Sequence, residues 1–266
     1  MREPKNKQEA GQALIVTSAV RSIDPYLTIK DHGVRLSQLY CSMLCWITRT
    51  RVKKIVLCDN TCSEDVFVDL IRLAEEHGKR LEVLCFKGDH NRVALYGKGY
   101  GEGEIMRHVI DKSALLKGEQ AFFKITGRVF VENFDEVRTS AESDDVVFDL
   151  CMKGWKKAVW RIIANTPIAQ IISNRGTGYI KTIFYKCSID YYRKKLIDCH
   201  LTVNDRKELS FENRMFMPLM RNGFSAFTIR PRLIGQSAGT GMLYGGDYSP
   251  EIKEWANSMV APKTYT

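Results

Sequence analysis

The sequence predicts a single-domain α/β protein with a mostly parallel central sheet. Between residues 13 and 86, apolar runs alternate strand, helix, strand, helix and strand, the pattern of a parallel sheet with helices on its faces. The 266 residues, 44% hydrophobic and 27% charged, suit a globular chain with one substantial core. With no internal repeat or low-complexity linker, we divide this domain only into a polar tail (1–12) and two halves (13–140 and 141–266).

The elements of the first half follow from hydrophobic periodicity and helix boundaries. Runs rich in Val, Ile, Thr and Phe predict strands at 13–20, 53–61, 80–86 and 120–131, the last broken at 126–128. Helical spacing and caps predict helices at 34–48, 63–78 and 103–118. The segment GKGYGEG (97–103) predicts a glycine-rich loop that leads into the third helix.

The second half has a less regular pattern. We predict strands at 144–150 and 224–235, and a strand that runs into a helix over 178–198. We predict helices at 155–173, interrupted by Pro167, and at 208–223, stopped by Gly223. The glycine-rich segment 237–249 predicts a loop before a short helix that begins near Pro250.

Charge and hydropathy exclude several classes of protein. No apolar run approaches the roughly 20 residues that span a bilayer, and the polar N-terminus lacks the apolar stretch of a secretory signal, so we expect a cytoplasmic protein. The net charge of +9 is spread over separate clusters, without the basic stripe and interleaved aromatics of many nucleic-acid-binding proteins. We therefore expect no nucleic-acid partner, and favour solvated surfaces, phosphorylated ligands or an anionic membrane.

The eight cysteines raise the question of a metal site. Cys41 and Cys45 form one CxxxC pair, and Cys58 and Cys62 form another. The first pair lies in an apolar run with helical spacing, and structural zinc sites usually have tighter CxxC knuckles. We therefore interpret the cysteines as reduced, buried thiols and predict no metal ligands among them.

Candidate ligand-binding residues lie where strands end, because parallel sheets bind ligands beyond the carboxyl ends of their strands. This rule selects Arg21 after the first strand, and Asp59 and Asn60 after the second. The segment Asp59-Asn60-Thr61 is equally typical of an Asx turn, and the sequence leaves both interpretations open.

The glycine-rich segment is the second candidate. Glycines let a backbone approach a ligand closely, and a helix N-terminus favours anions, so we expect Lys98, Gly99 and Gly101 to contact phosphate. A flexible linker with a solvated lysine is the alternative. The segment is neither a Walker A loop nor a dinucleotide-binding fingerprint.

The third candidate is KITGR (124–128) in the predicted central strand. Lys124, Thr126 and Arg128 share one face of a strand, and the two cations could neutralise phosphate, Arg128 bidentately. Gly127 would permit a close approach of the ligand. The alternative is an exposed strand face without a ligand.

The order of these elements is similar to that of GT-A-fold glycosyltransferases. The segment FFKITGRVFVENFDEV resembles the Lys-x-(Thr/Ser)-Gly-Arg segment of bacterial enzymes that build lipopolysaccharide or capsular glycans, and the resemblance covers most of residues 13–240. It implies a GT-A-like, Rossmann-related sheet, a nucleotide-sugar donor bound by 13–140 and a glycan or lipid-linked acceptor bound by 141–266. It also implies that Arg21, Asp59 and Asn60 contact nucleobase and ribose. The basic surface suits a peripheral enzyme that works at the inner face of the cell membrane, near a lipid-linked acceptor.

The chain departs from the better-known members of this group in one respect. Their strand at this position ends in a DxD motif that holds a divalent metal, and KITGR stands in its place here. We therefore expect no divalent metal and no cofactor besides the nucleotide-sugar substrate. Glu102 and Glu104 are the remaining metal-ligand candidates, although acids in the first turn of a helix need no metal.

The resemblance also suggests a catalytic base. Inverting relatives carry an acid on a helix after the donor motif, and Glu212 matches that position best, with Asp205 and Glu208 as rivals. A surface glutamate on an amphipathic helix is the structural alternative. The segments 173–181 and 237–246 are candidate loops for acceptor and leaving diphosphate.

Two other functions remain open at this stage. A nucleotidyltransferase shares the topology, but its early loop rich in Gly, Arg and Lys is not matched by SAVRSIDP (18–25). A non-catalytic nucleotide- or glycan-binding module is the third hypothesis.

Overall fold

The chain is built around a seven-stranded sheet, seen in a computed structural model that describes residues 12–151, 159, 180–237 and 239–260. Its strands are β1 (Ala13–Ser18), β2 (Lys54–Asp59), β3 (Arg80–Cys85), β4 (Ala121–Thr126), β6 (Val146–Leu150), β7 (Ile180–Ser188) and β8 (Ser225–Ala226). Two further strands, β5 (Val129–Val131) and β9 (Leu233–Gly235), pair antiparallel in a separate small sheet.

The main sheet is mostly parallel, with the order β3-β2-β1-β4-β7-β6-β8. The pairs β1–β2, β2–β3, β1–β4 and β6–β8 are parallel, whereas β7 runs antiparallel to both of its neighbours. Both halves of the chain contribute strands, and β4 and β7 join them side by side. The predicted mostly parallel sheet is therefore confirmed.

The described α-helices cover both faces of this sheet. They are α1 (His32–Arg49), α2 (Val68–Glu76), α3 (His90–Tyr96), α4 (Lys98–Lys112), α5 (Phe134–Ser140), α6 (Ile189–Tyr191), α7 (Phe211–Asn222) and α8 (Pro250–Val260). One buried cluster, centred on α1 and its Trp46, packs against α2, α5 and α8. A second cluster on the other face packs α4 and α7 against the sheet. Among the described helices, none is long and apolar enough to cross a membrane.

Helix boundaries follow the capping chemistry of the sequence. The Asp31 carboxylate caps α1 by accepting from the Val34 N–H at 2.7 Å, and the Ser210 hydroxyl caps α7 by accepting from the Asn213 N–H at 3.4 Å. Gly223 ends α7 with φ of 85°, as its position in the sequence predicts. The helix predicted near Pro250 also forms.

Two predictions of local structure are wrong. Residues 98–103 form the first turns of α4 instead of a loop. Other segments of this chain pack directly against the glycines, at positions where a side chain would collide with them. Residues 224–235 do not form one strand: β8 and β9 belong to different sheets, and Pro231 between them cannot donate to a ladder. Apart from residue 159, the helix predicted at 155–173 lies outside the described residues, as does most of the 173–181 loop.

Candidate active site

A pocket opens at the carboxyl ends of β1, β2 and β4, the edge that the sequence analysis selected. Its walls are the loop after β1, the turn after β2, and residues of α3, α4 and the β4–β5 turn. Six of the predicted site residues line it: Asn60, Lys98, Gly101, Thr126, Gly127 and Arg128. Every lining residue lies between Thr17 and Arg128, within the first half of the chain.

Helix α4 presents one face to this pocket. Lys98, Gly101, Glu102 and Ile105 line it, and their spacing of three and four residues places them on one side of a helix. Gly101 lets α3 pack closely against this face, because a Cβ there would lie only 3.1 Å from Val93 Cγ2. The wall is therefore a helix surface rather than the predicted loop.

Arg128 is the cation best placed to receive an anionic ligand. Its Nη1 is buried and has no hydrogen-bond partner among the described residues. Burial, and to a smaller extent the nearby Arg35 guanidinium, lower the pKa of Arg128 to about 9. Because a desolvated cation without a counter-charge is unfavourable, a bound anion would stabilise this arrangement.

Arg35 is a pocket residue that the sequence analysis missed. Its side chain is buried, and Nε donates to the Val20 carbonyl at 3.0 Å while Nη1 donates to the Ile29 carbonyl at 3.1 Å. These bonds fix the loop after β1, which forms one wall of the pocket. Arg35 lies in the first turn of an amphipathic helix, and nothing in the local sequence separates it from a surface arginine.

Two further polar atoms at the pocket are buried without a partner among the described residues. They are Oδ1 of Asn60, after β2, and Nε2 of His90, at the start of α3. Buried polar groups are almost always paired in folded proteins, so such atoms mark a place where a ligand or water completes the structure. Asn60 was selected from the sequence, whereas His90 was not.

Asp59 has a structural role in this arrangement. Its Oδ1 accepts from the backbone N–H groups of Thr61 and Cys62 at 2.7 and 2.9 Å, and its Oδ2 accepts from the Val20 N–H at 2.9 Å. The Asx turn is therefore present, and it ties the ends of β1 and β2 together. Neither Asp59 nor Arg21 lines the pocket, and Arg21 is exposed.

Lys124 differs most from the predicted phosphate clamp. Its side chain is fully buried, and its ammonium pairs with Glu102 and donates to the Thr182 carbonyl at 2.8 Å and to Thr126 Oγ1 at 3.2 Å. All three N–H donors are thus used within the protein, so Lys124 does not present a free cation to the pocket. The prediction of direct phosphate contact by Lys124 is therefore corrected to a contact with Glu102, which does line the pocket.

Two glycines that were predicted to contact the ligand allow other parts of the chain to pack closely. A Cβ at Gly127 would lie 2.9 Å from the Thr17 carbonyl oxygen, so this glycine lets the β4–β5 turn pack against the end of β1. Gly99 does not line the pocket: its N–H donates to the Asp205 carboxylate at 3.0 Å, and a Cβ there would meet Val203. Gly99 is therefore corrected from a ligand contact to a helix-packing position.

Lys98 is exposed at the mouth of the pocket. A Cβ on Gly239 would lie 2.7 Å from the Lys98 ammonium, and the Thr28 hydroxyl donates to the Gly239 carbonyl at 2.8 Å. The glycine-rich loop near residue 239 therefore lies beside the pocket entrance, in contact with the segment that follows β1.

Glu212 lies in the first turn of α7 and outside the pocket lining. Its Oε1 accepts from the Thr182 hydroxyl at 2.8 Å, and the Thr182 carbonyl in turn accepts from Lys124. Of the rival acids, Asp205 is held by the Gly99 N–H, and burial raises its pKa, while Glu208 is exposed.

The chemistry at the end of β4 does not fit a divalent metal. Thr126, Gly127 and Arg128 offer one hydroxyl and one cation, whereas hard divalent cations bind carboxylate and carbonyl oxygens. Of the acidic candidates, Glu102 pairs with Lys124, and Glu104 accepts from the Asp89 N–H at 3.2 Å. Within the described ranges, no cluster of three or more His, Cys, Asp or Glu could hold a metal ion.

Most of the cysteines are buried or half-buried, as the interpretation as core thiols predicts, but Cys151 is exposed. Cys41, Cys45 and Cys58 are buried, and Cys62 is half-buried. Burial raises the pKa of the Cys41 thiol to about 12 and that of Cys45 to about 11. These thiols therefore pack as apolar groups rather than react as thiolates.

Comparisons with known proteins find similar structures at low sequence identity. The apo glycosyltransferase GlyE from Streptococcus pneumoniae is 13% identical over 81% of this chain and 44% of its own length, with a TM-score of 0.46. The galactosyltransferase LgtC, solved with donor and acceptor sugar analogs, is 9% identical over 81% of this chain and 73% of its own, with a TM-score of 0.49. A putative glucose-1-phosphate thymidylyltransferase from Bacillus anthracis is 12% identical over 96% and 97%, also at 0.49.

No protein-family model matches the chain, and no curated protein matches its sequence. The chain spans less than half the length of the GlyE structures to which it is similar. Because all of these TM-scores lie below 0.5, the functional conclusion rests on the pocket and its residues.

Proposed function

We propose that this protein is a glycosyltransferase that moves a sugar from a nucleotide-sugar donor to a bacterial surface glycan of the lipopolysaccharide or capsule type. The donor half is 13–140, and 141–266 binds a glycan or lipid-linked acceptor. The position of the pocket supports this division, because all of its lining residues belong to the first half. The resemblance of KITGR to the corresponding segment of such enzymes supports the acceptor class.

One observation carries the proposal: the Arg128 guanidinium, with Nη1 buried and unpartnered in the described structure, lies at the carboxyl edge of a parallel sheet. In α/β sheets this edge is where nucleotide ligands bind. A planar guanidinium recognises phosphate bidentately, and Lys98 adds a second cation at the mouth of the same pocket. Arg128 would stabilise the negative charge that develops on the departing nucleoside diphosphate.

We further propose that the reaction needs no divalent metal, because the cations Arg128 and Lys98 occupy the phosphate side of the pocket. The protein would work in the cytoplasm, against the inner face of the membrane, where a lipid-linked acceptor is available. The net charge of +9 supports contact with an anionic surface. Glu212 is the proposed base for the acceptor hydroxyl.

Ligand titration of the wild type and of Arg128→Ala tests the donor site. UDP, GDP, CDP, dTDP and their hexose conjugates are titrated by calorimetry, in buffer with and without EDTA. Arg128→Ala should weaken binding of the preferred nucleotide by roughly 2–4 kcal/mol, about 30- to 1,000-fold. The unliganded variant should melt at the wild-type temperature or above it, because a buried cation without a hydrogen-bond partner for Nη1 is removed.

Arg232→Ala is the matched control, since this exposed arginine pairs only with Glu132 among the described residues and does not line the pocket. Its nucleotide affinity should equal that of the wild type. Unchanged affinity in a folded Arg128→Ala would contradict the proposed donor site. Binding that appears only with added Mg²⁺ or Mn²⁺ and vanishes in EDTA would contradict metal independence.

Product analysis separates the proposal from the alternatives. A glycosyltransferase slowly hydrolyses its nucleotide sugar to nucleoside diphosphate and free sugar. A nucleotidyltransferase would instead form pyrophosphate from a sugar phosphate and a nucleoside triphosphate. Nucleotide binding with neither reaction would indicate a non-catalytic binding module.

A further inference from the structure

The pocket contains one acidic side chain whose position suggests a specific task. Among its charged lining residues, Arg35, Lys98 and Arg128 are cationic, and Glu102 alone is a carboxylate. A carboxylate repels phosphate, so Glu102 is unsuited to the diphosphate end of a ligand. It is a strong acceptor for hydroxyl groups, which are abundant on a sugar.

An ion pair with a buried lysine holds the Glu102 side chain in place. The buried Lys124 ammonium pairs with Glu102 Oε1, and the same ammonium is anchored by the Thr182 carbonyl and the Thr126 hydroxyl. The Glu102 side chain is 22% exposed whereas that of Lys124 is 0% exposed, so the carboxylate is the end of this pair that reaches the pocket. Within the described structure, Lys124 is the only donor that contacts it.

The position of Glu102 on α4 determines that its side chain faces the pocket. Gly101 and Ile105 flank it on the α4 face that lines the pocket, whereas Glu104 points to the other side and accepts from the Asp89 N–H. The bare side of Gly101 packs against Val93 and Asn60, so close contacts fix this part of α4 beside the pocket. Negative charge and exposure to the pocket therefore coincide at Glu102.

We propose that Glu102 recognises the sugar of the donor by accepting hydrogen bonds from its hydroxyl groups, and that Lys124 is the positioning residue that holds the carboxylate in the pocket. This inference rests on the proposed function and names a specificity determinant of that site. The cations of the pocket would bind the diphosphate, while Glu102 would distinguish the glycosylated nucleotide from the free one.

The test compares each nucleoside diphosphate with its hexose conjugate by calorimetry, using the nucleotide that the wild type prefers. Glu102→Gln should weaken binding of the hexose conjugate roughly 10- to 100-fold, as expected for loss of a charge-assisted hydrogen bond. Affinity for the free nucleoside diphosphate should stay the same or rise, because a repulsive charge is removed.

Folding needs its own control, because Glu102→Gln leaves Lys124 buried without its counter-charge. The double variant Glu102→Gln/Lys124→Met removes both charges and should show the same loss of sugar discrimination at normal stability. Lys124→Met alone keeps the Glu102 carboxylate but removes the ammonium that holds it in position. This variant should bind the hexose conjugate more weakly and should bind the free nucleotide with unchanged affinity. Glu104→Gln, on the same helix but outside the pocket, should match the wild type.

The outcomes separate this inference from the proposed function. If the wild type binds neither ligand, the proposed donor site itself is wrong. If it binds both ligands equally, or if the Glu102 variants keep the full preference for the hexose conjugate, Glu102 does not recognise the sugar although the nucleotide site stands. Loss of affinity for both ligands in a folded double variant would also overturn the inference, because the carboxylate would then support the whole pocket.

Discussion

Thr182 connects two acids that are far apart in the sequence. Its hydroxyl donates to Glu212 on α7, and its carbonyl accepts from Lys124, which pairs with Glu102 in the pocket. Polar contacts therefore run from the proposed donor site to the proposed base, although Glu212 does not line the pocket itself. This connection gives Glu212 a fixed orientation beside the second half of the chain.

Replacing Glu212 tests its role as the acceptor base. Glu212→Gln keeps the size of the side chain and the helix propensity, and its amide oxygen can still accept from Thr182. If Glu212 removes the acceptor proton, turnover should fall about 10²–10⁴-fold with donor affinity nearly unchanged. Steady-state kinetics and calorimetry on the same preparation measure the two quantities.

Glu254→Gln serves as the matched control, because Glu254 is an exposed acid on α8 that does not line the pocket. It should retain wild-type turnover. Near-normal turnover in Glu212→Gln would remove Glu212 from the mechanism. It would direct attention to Asp205 or Glu208, or to a retaining reaction that needs no such base. A parallel loss of donor binding would instead point to a structural role.

Sequence reasoning identified many pocket residues because strand ends are local features. The carboxyl-edge rule selected Asn60, which lines the pocket, but also Arg21 and Asp59, which do not. Arg128 was selected from the KITGR segment and also lines the pocket.

Lys124 shares a strand face with Thr126, but it lies two residues further inside the sheet, where α4 covers it. Its burial depends on tertiary packing, which the local sequence does not reveal. The roles of Arg35 and Glu102 likewise depend on chain segments that meet only in the folded protein.

At the scale of elements, the glycine-rich start of α4 is the clearest difference between sequence and structure. Four glycines in seven residues predict a loop, because glycine is a poor helix former. The helix forms because each bare position accepts a close neighbour: a Cβ on Gly103 would lie 2.0 Å from His200 Cβ. Strands and the longer helices were predictable from periodicity, whereas this packing depends on a partner segment about a hundred residues away.

Gly103→Ala should therefore destabilise the protein in spite of the better helix propensity of alanine. The added methyl group would collide with a backbone-anchored Cβ that cannot rotate away, and overpacking of this kind costs about 1–3 kcal/mol. Urea unfolding measures the change in the free energy of unfolding. Gly33→Ala in α1 is the control, because its Cβ would meet only the Asp31 side chain, at 3.2 Å, and the change should stay below about 1 kcal/mol.

An unfolding free energy of Gly103→Ala equal to that of the wild type would show that the segment at Cys199–Thr202 moves away from α4 at little cost. Close packing against this segment would then not explain why α4 contains glycines. The donor pocket should persist in the variant, because Gly103 is not among its lining residues.

The whole molecule combines a seven-stranded main sheet with an excess of positive charge. Strands from both halves meet at the β4–β7 pair, so the proposed donor and acceptor regions share one scaffold. The predicted parallel sheet is confirmed, since alternating strands and helices leave few other arrangements. Which Lys and Arg side chains are buried was not predictable from the sequence: Arg35, Lys79, Lys124 and Lys186 are buried by segments that meet only in the folded protein.

The net charge of +9 leads to a prediction about membranes. If the protein works at an anionic surface, it should co-sediment with vesicles that contain phosphatidylglycerol at low salt and be released as salt rises. Each basic residue near such a surface contributes about 1 kcal/mol, and the Debye length falls from about 10 Å at 0.1 M salt to about 3 Å at 1 M. Vesicles of phosphatidylcholine alone are the control and should bind little protein. Equal binding to both vesicle types would indicate an apolar contact instead, and absence of binding to the anionic vesicles at low salt would contradict a peripheral membrane role.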